Sequence, residues 1–209
     1  MAAAKDDDST DIESLVKQFA KDMDKACADL RKARIDKAKK ESEKKKVEKP
    51  ADPPVVTFAL EQNPKTKSRT PAEQAAEVSA GRSMVCWGAH MADKARHVVM
   101  KANGSITWDY KKTMGGDFEE FKKCWAAAMK RNGLRNAKGG DGWFEGDAFH
   151  LEMPDSKISK TDVRVAACLD EYARLTREDG EKKNDRFETT YAKELNKYLA
   201  PYEMQDEKP

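Results

Sequence analysis

Cys86 and His90 stand four residues apart and His97 follows seven later, so on one continuous helix all three would share a face. A thiolate and two imidazoles are zinc ligands by type, and a tetrahedral site wants a fourth, which Cys124 or His150 would supply. Nothing in the spacing demands that fourth ligand, so the set reads as ordinary core and surface residues. No metal or other cofactor is expected. Cysteine, histidine and aspartate are all present for a nucleophilic triad, but there is neither a G-x-S-x-G elbow nor a known cysteine-nucleophile signature. The loop LRNAKGGDGWFEGD (134–147) holds Asp141, Glu145 and Asp147 without the ligand spacing of a calcium loop. Its glycines match neither a P-loop nor a dinucleotide fingerprint. With no catalytic pair recognisably spaced, the chain is not expected to be an enzyme. The loop is read as a turn presenting Trp143 and Phe144, as lids on the core or as contacts to a partner.

A different chemistry is carried by the cations between 82 and 138: Arg82, Lys94, Arg96, Lys101, Lys111, Lys112, Lys122, Lys123, Lys130, Arg131, Arg135 and Lys138. Trp87, Trp108, Tyr110 and Trp125 interleave with them. Cations that track a phosphate backbone and rings that stack bases are what a single-stranded nucleic-acid groove needs. The competing interpretation is a charged surface over a core that contains the tryptophans, and Asp93, Asp109, Asp117, Glu119 and Glu120 dilute the positive field.

Two segments must position these groups. The first is an N-terminal arm, 1–49. Thr10-x-x-Glu13 is a capping-box pattern. Ile12, Val16, Phe19, Met23, Ala26, Leu30 and Ala33 then recur at alternating spacings of four and three, the seam of an amphipathic helix about three heptads long. Periodicity does not say whether this seam docks on the chain's own core or on another copy or protein. With no Gly or Pro before Pro50, a continuous helix over 9–47 would reach roughly 55 Å. Its charge is segregated. Residues 1–30 hold four Lys against eight acids, net −4, whereas Arg31–Lys49 holds ten Lys or Arg against four acids, net +6. The basic half is either a solvated helix laced with ion pairs or an arm for phosphates.

A proline-rich linker, 50–69, carries the apolar run Val55–Leu60, a short strand or an extended anchor for a groove. Val55, Val56, Phe58 and Leu60 join Ile12, Val16, Phe19, Met23 and Leu30 as candidate subunit contacts.

The second segment is a core domain, 70–200, expected to be helical. Thr70-Pro71 with Glu73 starts a helix that can run to Ala102, ended by Asn103-Gly104, with Gly81 and Gly88 weakening it or marking a break. Further helices are expected after Asp117, after Ser159 and from about Asp185 to Leu199. Ala148–Met153 is the best candidate strand. The fold class expected is all-α: four to five core helices behind a long charged helical arm, at most one short strand or hairpin, and a disordered tail at 201–209.

Composition bounds the rest. Of 209 residues, 38% are hydrophobic and 37% charged, against a usual 45–50% and 25%, so part of the chain is not buried. No apolar run is long enough to span a bilayer. The acidic N-terminus argues against a secretory signal or transit peptide. Four scattered cysteines read as free thiols of a reducing compartment, most simply the cytoplasm.

The layout of charged arm, proline-rich linker, helical core and loose tail resembles that of coat proteins of flexible filamentous plant viruses. That resemblance implies an arm reaching a neighbouring subunit and a helical core holding single-stranded RNA, in the cytoplasm or the virion. It is one of plan and carries over no individual residue. The function expected is therefore a structural assembly protein that binds single-stranded RNA and polymerises through its arm. The alternative is a helical scaffold or adaptor subunit whose arm forms a coiled coil with a different protein.

Overall fold

The computed structural model describes residues 11–63 and 68–203. The fold is mixed α and β, which corrects the all-α expectation: the elements run α1 (Ile12–Lys45), β1 (Val56–Leu60), α2 (Pro71–Ser79), β2 (Ala95–Ala102), β3 (Ser105–Thr107), α3 (Tyr110–Met114), α4 (Phe118–Arg131), β4 (His150–Glu152), α5 (Val163–Arg177), α6 (Asp185–Thr190) and α7 (Ala192–Glu203). β1, β2 and β3 lie in that order and β4 also pairs with β2, making a four-stranded sheet. The described residues fall into two compact units. The first takes the chain up to Gln62 and again from Arg96 to Pro154, the second Asn63–Ala95 and the chain from Asp155 onward.

The largest correction lies between 80 and 107. The helix expected to reach Ala102 stops at Ser79, and Gly81 follows at φ +73°. Arg96-His-Val-Val-Met-Lys then forms a strand, as β-branched residues favour. Asn103 and Gly104 have φ of 49° and 83°. Two successive positive φ values make the tight turn whose twist suits a hairpin, so Asn-Gly reverses β2 into β3 instead of ending a helix. The register Ala102↔Ser105 follows directly from that turn. The apolar run of the linker becomes β1, antiparallel to β2, with Val56, Phe58 and Leu60 turned inward on the period of two.

In the first unit, α1 begins at Ile12 with Asp11 as its N-cap, the Asp11 carboxylate accepting from the Ser14 N–H at 2.9 Å. Thr10 of the expected capping box lies outside the described residues. The apolar seam is spent on the chain's own core: Ile12, Val16, Phe19, Met23 and Cys27 are buried against β1 and α4, and Leu30 packs at the edge. Phe19 meets Trp125 edge to face at 4.7 Å, and Phe58 meets the same ring at 5.8 Å. Trp125 is fixed in turn by α4, whose Phe121, Ala128 and Met129 share its buried face. The Asp24 carboxylate of α1 accepts the Phe58 N–H at 2.6 Å, a hydrogen bond to the sheet that ties β1 to the helix. Burial lifts the Asp24 carboxyl above its ordinary value, against the lowering pull of that N–H.

In the second unit, Thr70, Pro71 and Glu73 form the expected capping box of α2. α2 and α7 both pack on α5. The Arg177 guanidinium holds both Glu188 oxygens at 2.8 and 2.9 Å, and the Tyr172 hydroxyl donates to Glu188 at 3.0 Å. α7 continues through Pro201 to Glu203, so part of the expected tail is helical, and the rest of it lies outside the described residues.

Candidate functional site

After Cys27, α1 contains no buried residue, and beyond Leu30 it carries a dense positive charge. Two arginines hold the start of this basic half to its unit. Arg31 Nε donates to the Pro53 carbonyl at 2.8 Å, and Arg34 Nη1 donates to the Met114 carbonyl at 3.4 Å and pairs with Asp117 at 3.6 Å. Past Arg34 the helix runs on with Lys37, Lys39, Lys40, Lys44 and Lys45 exposed. Among the described residues none of these five has a carboxylate within ion-pair distance. Lys37, Lys40 and Lys44 follow an i, i+3, i+7 spacing and share one stripe about 10 Å long.

The cations expected to bind RNA are placed very differently. Arg82 holds Glu77 at 2.8 Å, Lys122 holds Glu119 at 2.8 Å, Lys123 holds Glu120 at 2.9 Å and Arg131 holds Asp22 at 3.0 Å. Lys111 pairs with Glu145, and Arg135 with Asp141 at 3.9 Å. Arg96 is buried, with Nε 3.5 Å from Glu13. Lys138 lies over the Phe144 ring at 4.5 Å. Lys101, Lys112 and Lys130 are on the first unit with no carboxylate at ion-pair distance among the described residues. Arg82 and Lys94 belong to the second unit. Charges already neutralised release few counterions to a phosphate, so most of the expected set is weak electrostatic material.

The aromatic residues sort as sharply. Trp125 is in the first core and Trp87 in the second, where it meets Tyr191 at 4.8 Å. Trp143 is half-buried against Tyr110, Phe121 and Trp125 and lids the first core, with Phe144 under Lys138 beside it. Trp108 alone of the four tryptophans is mostly open, at 58% exposure, with one edge resting on Phe149 at 5.5 Å. It borders an open cleft with Asp109, Tyr110 and Lys111. Trp108 directly precedes Asp109, the N-cap of α3, and Met114, where Arg34 docks, is the last residue of that helix. The open ring and the basic helix therefore belong to one unit, one before the start of α3 and the other at its end.

The candidate subunit contacts are mostly interior. Ile12, Val16, Phe19, Met23, Val56, Phe58 and Leu60 are buried in the first unit and Leu30 packs against it, whereas Val55 is exposed. Val55 borders a groove of about 270 Å³ between α1 and β1 that also touches Arg31, Lys32 and Ile35.

The structure takes the cysteines out of the expected zinc-ligand set. Cys86 and Cys168 are buried together in the second unit, with the Cys168 thiol hydrogen-bonded to Cys86 and pushed well above its ordinary range by that contact and by burial. His90 lies in a short 3-10 turn of the same unit, and Cys124 is on α4. His97 and His150 come together in the first unit, with Nε2 of His97 3.1 Å from Nδ1 of His150. The sheet does this. The register Leu60↔Val98 puts Glu61 opposite His97, where the Glu61 N–H donates to the His97 carbonyl at 2.9 Å. The Val98 N–H donates to the Phe149 carbonyl at 3.1 Å, which seats His150 beside β2. His150 and Glu152 share a face of β4, and Nε2 of His150 lies 3.1 Å from the Glu152 carboxylate.

No family model, curated protein or solved structure matches this chain. No helix among the described residues is long and apolar enough to cross a membrane.

Proposed function

We propose that this protein binds single-stranded RNA, with the basic half of α1 tracking the phosphates and Trp108 stacking a base. The observation that carries the proposal is the stripe of unpaired lysines on α1, standing clear of the core while most of the expected core cations are tied to carboxylates. A net charge of +6 over Arg31–Lys49 is ample for non-specific phosphate binding, which needs density of charge and no special geometry. An open indole bordering one cleft with Lys111 supplies a stacking surface that accepts any base and requires the strand to be single. The coiled-coil alternative loses its surface, because the apolar seam that would pair is occupied by β1 and α4. Polymerisation through that seam is accordingly no part of the proposal.

The test is fluorescence anisotropy of a labelled oligouridylate against a duplex of equal length. The single strand should bind more tightly at matched salt. Trp108→Ala should weaken it by about 5- to 150-fold, the range for losing one base–aromatic stack, without changing the dependence on salt. Equal affinity for the duplex, or no binding at low salt, overturns the proposal.

A further inference from the structure

We propose that His97, His150 and Asp147 form a binding site for a divalent transition metal, zinc being the ion their donors suit. The site is independent of the RNA reading and lies wholly in the first unit. Two imidazole nitrogens bound to one tetrahedral zinc at about 2.0–2.1 Å sit roughly 3.3 Å apart, and His97 Nε2 and His150 Nδ1 are 3.1 Å apart. The outer nitrogens are each backed by a carboxylate. Glu61 lies 3.5 Å from His97 Nδ1, and Glu152 lies 3.1 Å from His150 Nε2. A carboxylate behind each histidine takes its outer N–H, fixes the ring and raises the basicity of the inner nitrogen, as is usual for imidazoles that bind metal.

That arrangement has a consequence. With both outer nitrogens turned to carboxylates, the inner nitrogens face each other at 3.1 Å, a separation that a shared cation fits. Either a third proton or a metal ion would serve. The surroundings favour the metal. Asp147 Oδ2 is 3.7 Å from the inner Nδ1 of His150, so with Glu61 and Glu152 three carboxylates surround the pair. A dication balances them better than a single proton does. Asp147 is also placed to be a ligand. It ends the 3-10 turn Glu145–Asp147, and its side chain is 42% exposed beside His150. His150 and Glu152 are buried behind it. Two imidazoles and one carboxylate are the donor set of zinc sites that keep a fourth position for water or substrate.

The experiment uses the full chain stripped with EDTA and dialysed. Calorimetric titration with zinc chloride should give one ion per chain. Cobalt(II) in its place should give visible d–d bands without a thiolate charge-transfer band. His97→Gln should weaken cobalt binding by at least 10-fold, and Glu152→Gln by about 10- to 100-fold, with circular dichroism confirming the fold. Asp147→Asn is exposed enough to leave folding untouched and should also weaken binding. No stoichiometric uptake by the folded wild-type protein at micromolar metal overturns the site. So does a thiolate band, or binding unaltered by Asp147→Asn and His97→Gln together.

Discussion

Replacing Phe19 by alanine separates an arm docked on its own core from an arm that waits for a partner. Phe19 is fully buried, its ring edge on Trp125 at 4.7 Å, among Met23, Phe58 and their neighbours. A buried Phe→Ala change removes the transfer energy of the ring and leaves a cavity, together about 3–5 kcal/mol. Part of that, about 0.5–1.5 kcal/mol, is the edge-to-face contact itself. The assay is urea unfolding followed by tryptophan fluorescence, to which Trp108, Trp125 and Trp143 of the first unit contribute. Val47→Ala is the control, because Val47 is 59% exposed and should stay within about 0.5 kcal/mol of wild type. A loss below about 1 kcal/mol for Phe19→Ala, with a change in oligomeric state, would refute the docked arm and restore the coiled-coil reading.

Two further outcomes follow from the fold. Gly104→Ala should destabilise the first unit by about 1–2 kcal/mol in the same assay, since Gly104 has φ +83° with no atom within 4 Å of an added Cβ, so the cost is backbone conformation alone. Gly116→Ala, equally uncrowded and without positive φ, should cost nothing by that route. For Glu188, burial acts to raise the carboxyl, but hydrogen bonds from Arg177 and Tyr172 prevail and hold it below the ordinary glutamate value of 4.5. Its contribution is then fully present above about pH 4.5 and is lost as pH falls through the lowered value. Glu188→Gln should flatten the acid limb of the stability–pH curve below pH 4.5, and an unchanged limb would contradict the pairing.

Signals that admit a single reading are legible in this sequence, and those that admit two are not. The seam from Ile12 to Leu30 has only one helical reading, and α1 follows it. Thr70-Pro71 with Glu73 states a helix start in the local chemistry of the cap, and α2 begins there. Between 80 and 107 the residues allow two readings. Val98, Val99 and Met100 fit a buried helix face or a strand, and Asn103-Gly104 serves a helix end or a hairpin. Strand pairing decides, and that depends on Val56–Leu60, some forty residues away. A helical reading of β2 sets His97 on a face with Cys86 and hides its sheet neighbours Glu61 and His150. The alternation His150-Leu151-Glu152 held the one local clue, two polar groups on the same face of a strand. For the RNA site the sequence supplied the cations but not their partners. The carboxylates facing Lys122, Lys123 and Arg131 are one turn away or on a different helix, and only the packing shows which charges are spent.

The central claim rests on the unpaired lysines of α1, and the salt dependence of RNA affinity tests it most directly. For single strands log Kobs falls with log salt by about 0.7 per phosphate neutralised, so an arm of net charge +6 predicts a slope near −4. Lys37→Gln, Lys40→Gln and Lys44→Gln combined keep helix propensity and should bring the slope to about −2. The combined change Arg131→Gln and Lys123→Gln, which removes cations already paired, should leave it near −4. A slope that ignores the α1 substitutions and collapses with the core pair would contradict the account.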